Sequence, residues 1–326
     1  MAKLNMVQAL TLAMDQEMER DPAVVLLGED IGPDEGVFRV TAGLWQKYGD
    51  ERVIDTPLAE SAIVGTSIGM AFAGLRPVGE IQFSGFSMLM VAQLEAYASR
   101  TRSRTFGRWT APIVIRMPYG GGVRAMEHHS ESREATFAHF PGVKVVIPSS
   151  PRNARALLAA AIRDDDPVVF MEPKRSYRAF KEEVPDEPEL IPIGRAQVVQ
   201  EGADLTVISW GAMMRPTLEA VEMVQLERGA SIEVIDLLTL APLDHTTFVE
   251  SVKKTGRCVV VQEAPRNLGI ASEVIALLNE GAFFHLEAPI RRVTNYDVIT
   301  PYFGRELMYI PSVGRIKRGI EETLDT

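Results

Sequence analysis

The feature that most constrains the fold of this 326-residue chain is an alternation of short apolar runs with helix-length segments. The runs are rich in β-branched residues and occupy residues 24–27, 53–54, 78–83, 113–117, 143–147 and 168–171. Continuous apolar strands of this kind are typical of a parallel sheet that is buried on both faces by crossover helices. The first half of the chain is therefore predicted to form an α/β domain.

A second domain is predicted after residues 181–192, KEEVPDEPELIP, which combine charge with three prolines and lack apolar periodicity. We interpret this segment as a linker. Beyond it the alternation restarts, with strands predicted at 205–208, 232–237 and 259–262 and helices at 216–228 and 248–254. The sequence thus predicts two α/β domains, residues 1–185 and a smaller one of residues 186–326.

Composition restricts the class of protein and its partners. The net charge of -10 argues against a nucleic-acid partner, since phosphate backbones attract basic surfaces. No apolar stretch approaches the roughly 20 residues that a membrane-spanning helix needs, so no membrane association is predicted. The single cysteine, Cys258, excludes a disulfide framework and fits a reducing compartment. We expect a soluble protein of the cytoplasm, or of an organelle matrix after processing.

The commonest phosphate-binding loops of α/β proteins, G-x-x-x-x-G-K-[ST] and G-x-G-x-x-G, are absent, which disfavours a self-sufficient nucleotide enzyme. The triple glycine at 120–122 follows a predicted strand. It is either a plain loop or a point where a ligand or another backbone approaches closely.

The most informative stretch is DTPLAE, residues 55–60, which follows one predicted strand and opens a helix. Open α/β sheets place their ligands at such a position. Glu60 is either a solvated first-turn glutamate that the helix dipole favours or a functional carboxylate. The following helix, 61–73, alternates small residues and is predicted to pack at short distance against a sheet or a partner helix.

Polar and aromatic residues mark two further candidate positions. Glu80 and Gln82 share one face of a predicted buried strand, which requires that both side chains have partners. Phe86 is either a ligand contact at the end of that strand or an ordinary core aromatic. His128 and His129 are adjacent in a loop, so at most one faces a given site, either as a proton-handling group or as a structural hydrogen-bonding residue.

Six segments together resemble the β subunits of thiamine-diphosphate-dependent pyruvate and branched-chain 2-oxo acid dehydrogenases, which belong to the transketolase-like enzymes. The segments are DTPLAESAIVGTSIGMAFAGLRPVGEIQF, RMPYGGGV, HHSES, FAHFPGVKVVIPSSP, IRDDDPVVFMEPKRSYR and VKKTGRCVVVQEA. They occur in order without large gaps, from about Met6 to about Asp297, and this is more specific than any single motif. The resemblance implies an N-terminal pyrimidine-binding domain with a parallel sheet and a C-terminal transketolase-like domain.

The resemblance also implies roles for the candidate residues. Glu60 would bond the aminopyrimidine ring of thiamine diphosphate and share a proton with it. Leu58, Gln82 and Phe86 would contact the pyrimidine, with Phe86 packed on its face. His129 would assist transfer of the acyl group to a lipoyl arm.

Potassium binds in some relatives in the region that corresponds to Asp164 and Asp166. From the residues alone, a helix-ending turn is the alternative for these two aspartates.

Two departures from the family pattern leave alternatives open. The usual H-S-Q-S is H-S-E-S here, so Glu131 stands beside the histidine, and His128 would be the active residue if the local register differs. Residues 298–311, VITPYFGRELMYIP, depart from the family pattern and leave the contacts of the C-terminal segment open.

A partner chain is implied because this superfamily clamps the cofactor's diphosphate and Mg²⁺ with a G-D-G segment followed downstream by asparagine. Residues 49–51, GDE, are the nearest fragment and lack the second glycine. We therefore expect an α subunit to hold the diphosphate and Mg²⁺ in a heterotetramer of two α and two β subunits. A lipoyl acyltransferase component would receive the acyl group.

The substrate is expected to be a 2-oxo acid. Phenylalanine rather than a tyrosine-like residue after EIQF favours pyruvate over branched-chain acids. The alternatives are an acetoin-cleaving dehydrogenase β subunit and a non-catalytic α/β scaffold.

Overall fold

The sheet of the N-terminal domain has seven strands and is parallel except at one edge. The computed structural model describes residues 2–326. The strands of the N-terminal domain are β1 (Ala2–Leu4), β2 (Val24–Gly28), β3 (Val53–Asp55), β4 (Arg76–Glu80), β5 (Val114–Tyr119), β6 (Lys144–Val146), β7 (Val168–Pro173) and β8 (Glu182–Val184). Of these, β1 and β8 form a separate two-stranded sheet. Every residue of β2, β5 and β7 is buried, as the apolar runs predicted.

The C-terminal domain is built on a smaller, five-stranded sheet. The remaining strands are β9 (Gln197–Gln200), β10 (Leu205–Ser209), β11 (Ile232–Asp236), β12 (Thr239–Ala241), β13 (Cys258–Val261) and β14 (Arg291–Val293). The strand order is β14-β13-β10-β11-β9, with β9 antiparallel to β11. The larger sheet has the order β12-β6-β7-β5-β4-β2-β3. The predicted fold of two α/β domains, the second one smaller, is confirmed.

Helices cover the sheets, and some of them begin at a residue whose side chain caps the helix. They are α1 (Met6–Arg20), α2 (Leu44–Tyr48), α3 (Glu60–Phe72), α4 (Val91–Ala96), α5 (Thr101–Arg104), α6 (Glu134–Ala138), α7 (Pro151–Arg163), α8 (Met214–Arg228), α9 (His245–Thr255), α10 (Ile270–Ala282), α11 (Glu306–Tyr309) and α12 (Val313–Leu324). Asn5 caps α1 and Ser150 caps α7, each in a capping box that satisfies free backbone N–H groups. No helix formed by residues 2–326 has both the length and the apolar character to span a bilayer.

The two domains share one continuous apolar core. Trp210, Ile235 and Phe248 of the second domain belong to the same buried cluster as Met117 and Phe137 of the first. In addition, β12 pairs antiparallel with β6 and so completes the edge of the first sheet. The relative position of the domains is therefore fixed by packing and by backbone pairing.

Two details of the sequence interpretation are wrong. The predicted linker at 181–192 contains β8, which pairs antiparallel with β1, because three N-terminal residues provide a partner that a local pattern does not reveal. The strand predicted at 78–83 ends at Glu80, and the chain then turns into a 3-10 helix over Ser84–Met90. The boundary between residues 185 and 186 stays a prediction.

Candidate active site

Most candidate residues follow the carboxyl ends of neighbouring parallel strands. In the order of the sheet, β7, β5, β4, β2 and β3 end at one edge, where α/β sheets bind ligands. Lys174 follows β7, the triple glycine follows β5, Gln82 follows β4 and Glu29 follows β2. Glu60 comes shortly after β3. The topology therefore gathers at one edge residues that are far apart in sequence.

Glu60 is not a solvated first-turn glutamate. Its side chain lies at the start of α3, and the residue is only 6% exposed. The pKa of nearby Glu29 is raised, first by burial and then by the negative charges of Asp30 and Glu60. The structure thus brings three acidic residues together at this edge. Sequence reasoning missed Glu29 and Asp30, although an acidic pair directly after the buried strand β2 was an available signal.

The polar side chains at the end of β4 have the partners that their position requires. Gln82 Nε2 donates to Asp30 Oδ2 at 3.1 Å, which ties the end of β4 to the loop after β2. Glu80 accepts a hydrogen bond of 2.8 Å from Arg116 on β5. The Arg116 guanidinium also donates to Glu172 on β7, at 2.6 and 3.0 Å.

This buried network lies directly beneath the edge. Its three charged residues are almost fully buried: Arg116 is 2% exposed, Glu80 is 5% exposed and Glu172 is 0% exposed. Because water does not solvate them, the positive charge of the arginine and the negative charges of the two glutamates must compensate each other. Tyr177 donates to Glu172 at 2.5 Å and completes the group. The network connects β4, β5 and β7 and gives the candidate residues a rigid base.

Both histidines contact the aromatic residues of the edge, but His129 lies closer than His128, whose ring centroid is 6.4 Å from that of Phe86. The His129 ring centroid lies 4.3 Å from that of Phe83 and 5.4 Å from that of Phe86. The His128 side chain is 59% exposed, and its Nδ1 lies 3.3 Å from Glu127. Phe86 is half-buried and packs against the apolar core, and its contact with a ligand stays a prediction.

The environment of His129 favours its neutral form. Its pKa is lowered, first by burial and then by the positive charge of Lys174. Its Nδ1 is buried without a hydrogen-bond partner within residues 2–326. A neutral imidazole offers one donor and one acceptor, so His129 is able to hold or release a proton here.

The main chain around His129 is held by three hydrogen bonds. Lys174 Nζ donates to the carbonyl oxygen of His129. Ser84 Oγ and the N–H of Gly120 donate to the carbonyl oxygen of Glu131, at 2.7 and 3.0 Å. Lys174 is 4% exposed, and burial lowers its pKa to about 8. Sequence reasoning missed this lysine, which directly follows β7.

The triple glycine is a point of close approach, not a plain loop. A Cβ on Gly120 would lie 2.8 Å from Glu263 Oε1, and a Cβ on Gly121 would lie 2.5 Å from Glu306 Oε1. Gly120 also has a φ of +78°, which favours glycine. Both carboxylates come from the C-terminal domain, and no local sequence signal connected them with this loop.

The remaining predicted residues are Leu58, Asp164 and Asp166. Leu58 is 69% exposed. Lys144 Nζ lies 2.7 Å from both carboxylate oxygens of Asp164, and Asp166 pairs with Arg102 at 2.7 Å. Residues 2–326 contain no group of three or more His, Cys, Asp or Glu that could hold a metal ion. The carboxylates of Asp164 and Asp166 form ion pairs, as in a turn, and a potassium site at these residues stays a prediction.

The small-residue helix α3 approaches the sheet closely on one side and is open on the other. Ser67 faces β4, where a Cβ on Gly79 would lie 3.2 Å from Ser67 Oγ. On the outer side, a Cβ on Gly69 would meet no atom within 4 Å. A groove of about 450 Å³ runs along this outer face, between Gly65, Gly69 and Phe72 of α3 and the segment that includes Gln93 and Tyr97.

Comparison with known proteins finds similarity along almost the whole chain. Residues 2–179 match the family model "Transketolase, pyrimidine binding domain", and residues 194–316 match "Transketolase, C-terminal domain". The chain is 52% identical over 316 residues to the pyruvate dehydrogenase E1 component subunit beta of Acholeplasma laidlawii, with 97% of this chain and 96% of that one covered. The subunit of the same name from Bacillus subtilis is 47% identical over 312 residues, with 96% of each chain covered.

Solved structures share the fold. One of them is described as "Split gene transketolase, inactive beta4 tetramer", matches with a TM-score of 0.80 at 21% identity, and covers 99% of both chains.

Proposed function

Because this chain belongs to the transketolase-like family of thiamine diphosphate enzymes, and within it to the β subunits of 2-oxo acid dehydrogenases, we propose that it acts in the oxidative decarboxylation of pyruvate. The observation that carries the proposal is the buried Glu60 at the carboxyl edge of the sheet. The bacterial relatives are named for pyruvate, which favours pyruvate over branched-chain acids.

The residues at the edge fit the pyrimidine half of thiamine diphosphate. Glu60 would bond the aminopyrimidine ring and hold the proton that the ring exchanges, while Phe86 would pack on the ring face. Gln82 and Leu58 would complete the contact. When bound, the cofactor supplies the nucleophilic carbon and the electron sink for decarboxylation. The unpaired Nδ1 of His129 leaves this residue free to handle a proton during acyl transfer to a lipoyl group.

The proposed partners are an α subunit, in a heterotetramer of two α and two β subunits, and a lipoyl acyltransferase. The α subunit would hold the diphosphate and Mg²⁺, for which this chain lacks the G-D-G segment. The exposed Leu58 and the open outer face of α3 support contact with a second chain. We also propose a cytoplasmic location, which agrees with the single, buried Cys258.

The substrate proposal is tested by reconstituting the complex and measuring kcat/KM with pyruvate, branched-chain 2-oxo acids and acetoin. Pyruvate should be preferred by at least about tenfold, since each added methylene in a fitted pocket changes specificity by about 10- to 200-fold. Preference for a branched-chain acid or for acetoin would replace pyruvate in the proposal. An assembled complex that binds no cofactor and turns over none of the three would favour a scaffold role.

Replacing His129 by alanine should separate the two half-reactions. We expect lipoyl-dependent turnover to fall by about 10²- to 10⁴-fold, the usual contribution of a positioned acid or base. Decarboxylation measured with an artificial electron acceptor should change much less. His128→Ala is the matched control, because this neighbouring side chain is exposed. Equal losses in both assays would assign His129 to the first half-reaction, and a loss only in the His128 variant would exchange their roles.

A further inference from the structure

We propose that Glu263 and Glu306, two buried carboxylates of the C-terminal domain, are positioning residues for His129. They hold the loop that contains the triple glycine 120–122, which we call the triglycine loop. The histidine segment, residues 127–131, is hydrogen-bonded to this loop. The functional part of the inference rests on the proposed role of His129 in acyl transfer. The structural part concerns only how this chain holds the segment.

The two carboxylates bind the backbone of the loop directly. Glu263 is 3% exposed and accepts a hydrogen bond from the N–H of Gly121. Glu306 is 0% exposed and accepts one from the N–H of Arg124 at 2.8 Å. Hydrogen bonds to charged acceptors in a buried setting are among the stronger ones, so these contacts fix the loop firmly.

The loop in turn holds the histidine segment. The N–H of Gly120, next to the Glu263 contact, donates to the carbonyl oxygen of Glu131 at 3.0 Å. Lys174 provides a second connection, because its ammonium donates to the carbonyl oxygen of His129. The charges of Glu263 and Glu306 raise the pKa of this lysine against the larger opposing effect of burial. The two carboxylates therefore favour the charged ammonium that holds His129.

The charges around the loop are consistent with this role. Burial raises the pKa of Glu263 to about 6, while the Gly121 N–H and the charges of Arg175 and Lys174 act in the opposite direction. Glu263 is therefore mostly ionised at neutral pH. Glu134, which lies near it, has a pKa raised by burial to about 8 and is mostly protonated there. Glu134 thus adds little negative charge beside Glu263, and the charge of Glu306, which also raises the pKa of Glu263, is the remaining repulsive contribution.

Glu306 lies in the segment 298–311, which departs from the family pattern. The same segment contributes Tyr302, whose pKa is raised by the nearby carboxylate of Glu127, next to the histidine pair. One segment of the C-terminal domain therefore binds the glycine loop through Glu306 and lies beside the histidine pair through Tyr302. The position of His129 then depends on how the two domains pack, not on the N-terminal domain alone.

The test uses the assembled complex with Glu306→Gln, which keeps the size of the side chain and removes its charge. Loss of a charged hydrogen bond should raise amide hydrogen exchange of residues 120–131 by about tenfold. Lipoyl-dependent turnover should fall by about tenfold, and decarboxylation with an artificial acceptor should stay within about twofold. Glu322→Gln is the control, since Glu322 pairs with Arg291 on the surface of the same domain.

A second variant tests the contact from the loop. Gly121→Ala places a Cβ 2.5 Å from Glu306 Oε1 and should give the same pattern, whereas Gly304→Ala, which meets no atom within 4 Å, should not. Unchanged exchange in both test variants would overturn the proposal, as would faster exchange with an unchanged ratio of the two activities. If the wild-type complex transfers no acyl group to lipoyl, the proposed function fails in that control, and the exchange data alone decide whether the carboxylates hold the segment.

Discussion

Replacing Glu60 by glutamine in the assembled complex should leave assembly intact and slow 2-oxo acid decarboxylation by about 10²- to 10⁴-fold. An amide has nearly the shape of the carboxyl group but cannot take up and return a proton at the pyrimidine. The side chain is buried at the start of α3, so water does not easily replace it. The measurements are exchange of the thiazolium proton and the rate of decarboxylation.

The matched control is Glu273→Gln, because Glu273 also lies in the first turn of a helix, α10, but is exposed. This variant should have normal exchange and normal turnover. Glu60→Gln should also lower the pKa of Glu29, since the charge of Glu60 raises it. Near-normal proton exchange in a properly assembled Glu60→Gln complex would remove Glu60 from its proposed role.

The isolated chain should fold as a dimer, yet bind thiamine diphosphate weakly and decarboxylate no 2-oxo acid. It offers residues for the pyrimidine, but the segment that would hold the diphosphate and Mg²⁺ is expected on the α subunit. Adding that subunit should tighten binding by about 10²- to 10⁴-fold, because the two halves of one ligand would then be held together. Calorimetric titration of the cofactor, with and without the partner and Mg²⁺, measures the effect.

A variant of the outer face of α3 tests whether this face takes part in assembly. Gly69→Leu fills open space in the isolated chain and should leave its fold unchanged, but it should prevent close approach of a second chain. Gly314→Leu on α12 is the matched control, because it is also a helical glycine with open space around it.

For the cofactor titration, tight, Mg²⁺-dependent binding to the isolated wild-type chain would overturn the two-subunit proposal.

Local patterns in the sequence were sufficient to predict the two α/β domains, and they also place the candidate site at the carboxyl edge of the sheet. Each buried parallel strand needs its own continuous apolar run, so the strands β2, β5 and β7 were visible without any knowledge of their neighbours. The motif that contains Glu60 follows the short, partly buried strand β3, and the rule that ligands bind at the carboxyl edge applies to it directly. The burial of the Glu60 side chain, by contrast, depends on how α3 packs in the folded protein.

Tertiary packing determines how much closer His129 than His128 lies to the aromatic residues and what holds it there. The family motif favoured His129, but a shift of one residue in register would exchange it for the adjacent, chemically identical His128. The contacts of the triglycine loop with Glu263 and Glu306 join residues 142 and 182 positions apart. The strand β8 was missed for the same reason, since its partner lies at the N-terminus. Periodicity records which side chains are buried, whereas a hydrogen bond between distant segments depends on a pairing that forms only when the domains pack.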